Sequence, residues 1–164
     1  MRRSASSFLT IYLRDHHAAG CAGVGVAHRA AARPSHGSLT EALAGVASEI
    51  EADLRSLEAL MARIGVEPSR TKDVLARLAE RLSRLKLNGR VLRHSPLSDV
   101  EELETLVVGI TGKEALWLSL RTVASIPEEE LERLIERAQK QKEIVESCRR
   151  SAARRAFASS KSSR

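Results

Sequence analysis

The amino-acid sequence predicts an all-α fold, and three observations carry that prediction. Apolar residues recur at three- and four-residue spacing through four long stretches, with no strand-like alternation of any length. Aromatic residues are only 2 % of the 164 residues, so a core must be built from Leu, Val, Ile and Ala, in a chain otherwise rich in Glu and Arg. Helix start and stop signals separate the stretches: Gly65 with Pro68, Asn88-Gly89, Pro96 and Pro127. The length fits one domain.

The first predicted helix covers residues 5–32. Leu9, Tyr12, Leu13, His16, Ala19, Gly20, Gly23, Val26, Ala27 and Ala30 share a face. Gly20, Gly23 and Gly25 each cost about 1 kcal/mol relative to Ala inside a helix, which predicts close approach of a neighbouring backbone. GCAGVG is not a phosphate loop, because the glycine order is wrong and no strand precedes it. The second helix, 38–64, opens on the Ser38/Glu41 capping-box pattern and stops at Gly65. A shorter helix, 69–87, carries an apolar stripe of Leu75, Leu78, Leu82 and Leu85, flanked by a basic row that includes Arg77, Arg81 and Arg84. The fourth, 98–125, opens on a Ser98/Glu101 pattern after Pro96 and presents Val100, Leu103, Leu106, Val107, Ile110, Lys113, Trp117 and Leu120. The fifth, 127–157, begins at Pro127 and presents Leu131, Leu134, Ile135, Ala138, Gln141, Val145, Cys148 and Ala152. Residues 158–164 read as a flexible basic tail.

Short breaks join the first helix to the second and the fourth to the fifth, so each of these pairs packs antiparallel. Residues 69–97 are long enough to return the chain to the other end of the bundle. The expected architecture is therefore a four-helix up-down bundle with a crossover helix, the ferritin-like arrangement; five helices packed in sequence is the simpler alternative. Counting about a dozen residues from the common end of each long helix reaches His16, Asp53, Lys113 and Gln141 at one depth. These groups are expected to form a polar layer across the core, with Glu49 and Glu104 at its edge. Buried polar groups must satisfy one another, so such a layer is either a register device or a small ligand site.

The net charge of +6 is not a property of the body. Six of the 27 basic residues fall between Arg149 and Arg164, where no acidic residue lies, and the remaining 21 balance the 21 acidic residues. Two cysteines, Cys21 and Cys148, are too few and too distant for a disulfide framework or a metal knuckle. A reducing, cytoplasmic compartment is the simplest expectation. The apolar run near the start, Phe8 to Leu13, is too short for a signal segment, and no stretch is long enough to span a membrane.

Two blocks, IYLRDHHAAGCAGV and LKLNGRVLRHSPLSDVEELETLVVGITGKEALW, resemble a YLNDHLAG-type opening and a block built on LKLNGR, SPLS, ELE, GVxGK and LW. The chain is thereby similar to a group of small, uncharacterised, all-helical bacterial proteins. The resemblance implies the helical fold and no activity. Arg14 stands where that pattern has Asn, and His17 where it has an apolar residue.

The motifs exclude several chemistries. Ferritin-like di-iron sites need Glu-x-x-His on two helices, and none occurs. A single metal ion held by His16, Asp53 and Glu49 is the one metal reading left; no other cofactor is implied. No G-x-S-x-G elbow is present. Of Asp15, His16 and His17, helical geometry turns only His16 inward, leaving the other two expected in solvent. No catalytic set survives, so the leading expectation is a non-catalytic bundle acting through protein or self association. A metal- or ligand-binding ferritin-like protein is the first alternative. A nucleic-acid-associated protein using Arg77, Arg81, Arg84, Arg149, Arg150, Arg154 and Arg155 is the second.

Overall fold

In the computed structural model, which describes residues 6–33, 37, 39–68, 95–123 and 126–158, the long apolar-periodic stretches are helices. They are α1 (Ser7–Ala31), α2 (Thr40–Ile64), α3 (Pro96–Leu120) and α4 (Glu128–Ala158), and no strand occurs among the described residues. The helix expected over 69–87 and the tail 159–164 lie outside the described residues. Among the described residues no helix is long and apolar enough to cross a membrane.

The helix ends follow local chemistry. The Ser6 hydroxyl caps α1 by accepting from the Leu9 amide at 3.2 Å. One expected capping box is corrected. The N-cap of α2 is Leu39, with no side-chain hydrogen bond, and the Ser38 of the expected Ser38/Glu41 box lies outside the described residues. On α3 the box lies three residues earlier than expected, with the Ser95 and Ser98 side chains each bonded to the other's amide at 3.3 Å. The reason is Pro96. It forbids helix at Ser95, which becomes an extended N-cap, and its missing N–H costs nothing at the first helical position. The C-terminus of α2 is as its sequence demands. Gly65 takes a positive φ of 77°, its amide reaches the Ala62 carbonyl, and the Val66 amide reaches back to Met61 at 2.9 Å. The helix expected to reach Ser125 ends at Leu120 and passes into turns.

Four sets of cross-helix contacts fix the packing. Along α1 and α2, Arg14 donates to the Glu67 carbonyl, His17 meets Glu58 and His28 meets Glu51, a descending series that makes the pair antiparallel. Along α3 and α4, Arg121 meets Glu132 and Lys142 meets Glu114, again antiparallel. Tyr12 donates to Ser119 while Arg29 and Arg33 meet Glu102, which sets α1 antiparallel to α3. Arg63 meets Glu130 and Arg137 meets Asp53, which does the same for α2 and α4. Pro68 and Ser95 therefore sit at opposite ends of the bundle, one beside the start of α1 and the other beside its end.

The core between the helices is aliphatic. Leu13, Leu43, Leu60, Met61, Leu103, Leu116, Leu120 and Leu131 are buried in it, with Trp117 the largest fully buried side chain. The expectation that three glycines of α1 mark close backbone approach is corrected. Only Gly20 is crowded, where a Cβ would lie 3.0 Å from Leu54 Cδ1; a Cβ at Gly23 would meet nothing within 4 Å.

Candidate functional site

Asp53 on α2, Lys113 on α3 and Gln141 on α4 reach one depth because α4 runs antiparallel to both α2 and α3. Asp53 and Gln141 are 1 % and 0 % exposed, and the Lys113 side chain is 15 % exposed. The ammonium of Lys113 donates to Asp53 Oδ2 and to Gln141 Oε1. The Gln141 amide donates onward to Asp53 Oδ2 at 3.1 Å and to Glu49 Oε2 at 3.0 Å. The second oxygen of Asp53 accepts from Arg137, whose Nε lies 2.7 Å away. The structure therefore brings together Asp53, Lys113, Gln141 and Glu49 and adds Arg137.

Both oxygens of Asp53 and both polar ends of Gln141 are engaged, so each buried group has partners. The ionic groups balance, with Asp53 and Glu49 against Lys113 and Arg137. Burial lowers the pKa of Lys113 below its ordinary value, against the opposing pull of Asp53. Desolvation thus outweighs pairing at the ammonium, the energetic signature of an ion pair inside a core.

Of the other two residues expected at this layer, Glu104 has other surroundings. His16, half-buried on α1, is placed by an edge-to-face contact with Tyr12, ring centroids 4.5 Å apart. Glu104 does not join. It is exposed and nine residues before Lys113, about 13 Å along the helix, and its charge acts on Arg149 of α4. Arg137 was missed from sequence. Its signal was position: one turn before Gln141, its long side chain reaches back over the layer from the surface. A surface hollow of about 260 Å³ lies over this edge, lined by Glu49, Arg133, Glu136, Arg137 and Lys140.

His17 also corrects an expectation. It is not in solvent: its side chain is 12 % exposed and its Nε2 lies 2.9 Å from Glu58 Oε1 on α2. Its Nδ1 lies 4.0 Å from the Cys21 sulfur. Burial, then the Glu58 charge, raises the Cys21 pKa, so this thiol is held protonated rather than activated. Among the described residues no three or more His, Cys, Asp or Glu side chains are grouped to hold a metal ion. His16, Asp53 and Glu49 are therefore not such a set, and the place a cation would occupy beside Asp53 is filled by Lys113 and Arg137.

Of the basic residues expected to meet nucleic acid, Arg77, Arg81 and Arg84 lie outside the described residues. Arg149 is held by Glu146 at 2.7 Å, Arg150 lies 3.8 Å from the same carboxylate, and Arg155 donates to the Ser151 hydroxyl. Arg154 is exposed.

Beside the layer, Glu114 accepts from Lys142 and, at 2.9 Å, from Gln139. Those bonds, Lys142 first, lower its pKa below the ordinary 4.5. A carboxylate depressed in the folded state stabilises above its unfolded value and loses that contribution as pH falls through the folded one. Glu114→Gln is therefore expected to flatten the fall of stability with pH below 4.5, read by urea denaturation across the acid range. An unchanged acid slope would remove Glu114 from the account. Comparison of the chain with protein-family models, with curated proteins and with solved structures gives no match.

Proposed function

We propose that this chain is a non-catalytic helical bundle that acts by associating with copies of itself through its outer surface. The observation that carries this is an asymmetry between its two sides. On α1 and α3, Phe8 (83 % exposed), Ile11 (53 %), Val108 (54 %) and Leu118 (45 %) face outward. The outward surfaces of α2 and α4 are richer in charge, with Glu41, Glu49, Arg55 and Glu58, and Glu132, Arg133, Glu136 and Lys140, and their exposed large apolar side chains are Ile144 (38 %) and Phe157 (62 %) near the far end of α4. Large apolar side chains left outside on one face mark an association surface.

The polar layer supports the non-catalytic part of the reading. Its groups neutralise and bond one another, so it works as a device that sets which helices meet and at what register. The same contacts support a ferritin-like path, since Pro68 and Ser95 sit at opposite ends of the bundle. The two sequence blocks quoted above place it, on this reading, among small uncharacterised helical bacterial proteins acting in the cytoplasm.

Light scattering on the purified protein from ~1 to ~100 µM tests the reading, since interfaces of ordinary size bind in or below this range. A mass that rises with concentration towards twice the 17.9 kDa of the chain is expected. A mass that stays at one chain throughout overturns it.

A further inference from the structure

The outward stripe of α3 has a composition that its own fold does not require. From Thr105 to Thr122 its charged residues are Lys113, Glu114 and Arg121. The first two are bound inside the bundle, to Asp53 and Lys142. The hydroxyls of Thr105, Thr111, Ser119 and Thr122 each donate at 2.8 Å to a carbonyl of their own helix. Their methyl and methylene groups are left outward, beside Val108, Ala115 and Leu118. Gly109 and Gly112 interrupt this stripe, and a Cβ at either would meet nothing within 4 Å. A mid-helix glycine costs about 1 kcal/mol relative to Ala, and nothing among the described residues offsets it here.

Charge is placed at the two ends of the stripe with opposite sign. Glu101 and Glu104 lie at its start, exposed. Arg121 lies at its end, 40 % exposed, in a surface pair with Glu132 at 3.4 Å that is loose enough to be shared. Glu104 and Arg121 both flank α4, as their influence on Arg149 and contact with Glu132 show.

We propose that a second copy of this chain docks on this face, α3 against α3 and antiparallel, about a two-fold axis passing near Thr111 and Gly112. This rests on the association reading above and names its surface and register. A two-fold axis perpendicular to the helices sends position 104 opposite position 119 and keeps the α4 side of one copy on the α4 side of the other. Glu104 then faces the second copy's Arg121 at both ends, Val108 meets the second copy's Ala115, and the glycines sit at the crossing, where they permit close approach. With α1 alongside, the face is about 33 Å long and 20 Å wide, or about 1,300 Å² over both copies, within the range of stable dimers. The reverse, parallel pairing would set Glu101 and Glu104 against themselves, and like charges facing each other oppose it.

The test is sedimentation equilibrium on the full chain and on four variants, with circular dichroism to show that each is folded. Val108 is exposed, so Val108→Arg leaves one copy intact and is expected to raise the dimer Kd at least about 100-fold. Glu104→Arg and Arg121→Glu are each expected to raise it about 5- to 10-fold, and the double variant to restore it to within about 3-fold of wild type. A wild type that remains one chain removes the association reading and this inference together. A dimer indifferent to Val108→Arg leaves association standing and overturns this face. A dimer that Val108→Arg breaks but the charge exchange does not rescue overturns the antiparallel register.

Discussion

Asp53→Ala is expected to cost about 3–5 kcal/mol of folding stability, because it leaves buried cations without their counter-ion. Asp53 is the common acceptor of Lys113, Arg137 and Gln141. Lys113 then keeps the Gln141 carbonyl and the more distant charge of Glu49, while Arg137, one-third exposed, is able to turn outward. Changing both buried partners to apolar groups of similar size has the opposite sign. Asp53→Leu with Lys113→Met removes two desolvated charges at once and is expected to recover most of the loss. Urea denaturation of the two variants beside wild type reads the difference. A layer that bound a ligand through Asp53 would give no such recovery of the protein as purified, because the lost ligand would not return.

Trp117→Ala is expected to cost a similar about 3–5 kcal/mol, for a different reason. The indole is 1 % exposed and is the largest fully buried side chain. In a chain with so few aromatic residues no neighbour is large enough to fill the cavity. Its Nε1 has no hydrogen-bond partner among the described residues. Trp117→Phe exchanges some lost packing for removal of that unpaired donor, so it is expected to cost less than about half as much. Circular dichroism melting separates the two variants. Equal losses would show that the buried N–H is not a liability and that the indole shape alone matters. Since domains of this size are stable by about 5–15 kcal/mol, Trp117→Ala and Asp53→Ala together are expected to leave the chain unfolded.

The helices were legible because their signals are periodic and local. Leu13, Leu57, Leu103 and Leu131 lie on apolar stripes, and Gly65 was readable as a left-handed cap because Pro68 follows it. The start of α3 was misread because two serines compete for the N-cap, and only the backbone shows that Pro96 gives the role to Ser95. The buried groups Asp53, Lys113 and Gln141 were legible from depth counting, since polar residues on an apolar stripe stand out. Arg137 and His17 were not. Each lies off the stripe by one position, and a long or planar side chain spans that offset at no cost visible in the pattern. Glu104 was misplaced for the converse reason, since its position beside the stripe carried no information about depth. The outward face of α3 was hidden because the sequence of a helix does not say which of its two apolar-leaning sides its own bundle will cover.

The buried ion pair and its neighbours act as one closed unit. This coupling is tested most directly by a double-mutant cycle of Asp53→Ala and Lys113→Ala, with stabilities from urea denaturation. The double variant is expected to be more stable than the sum of the single losses implies, by about 1–3 kcal/mol, because each single change strands the other's charge. Losses that add to within about 0.5 kcal/mol would show two independent residues and contradict it.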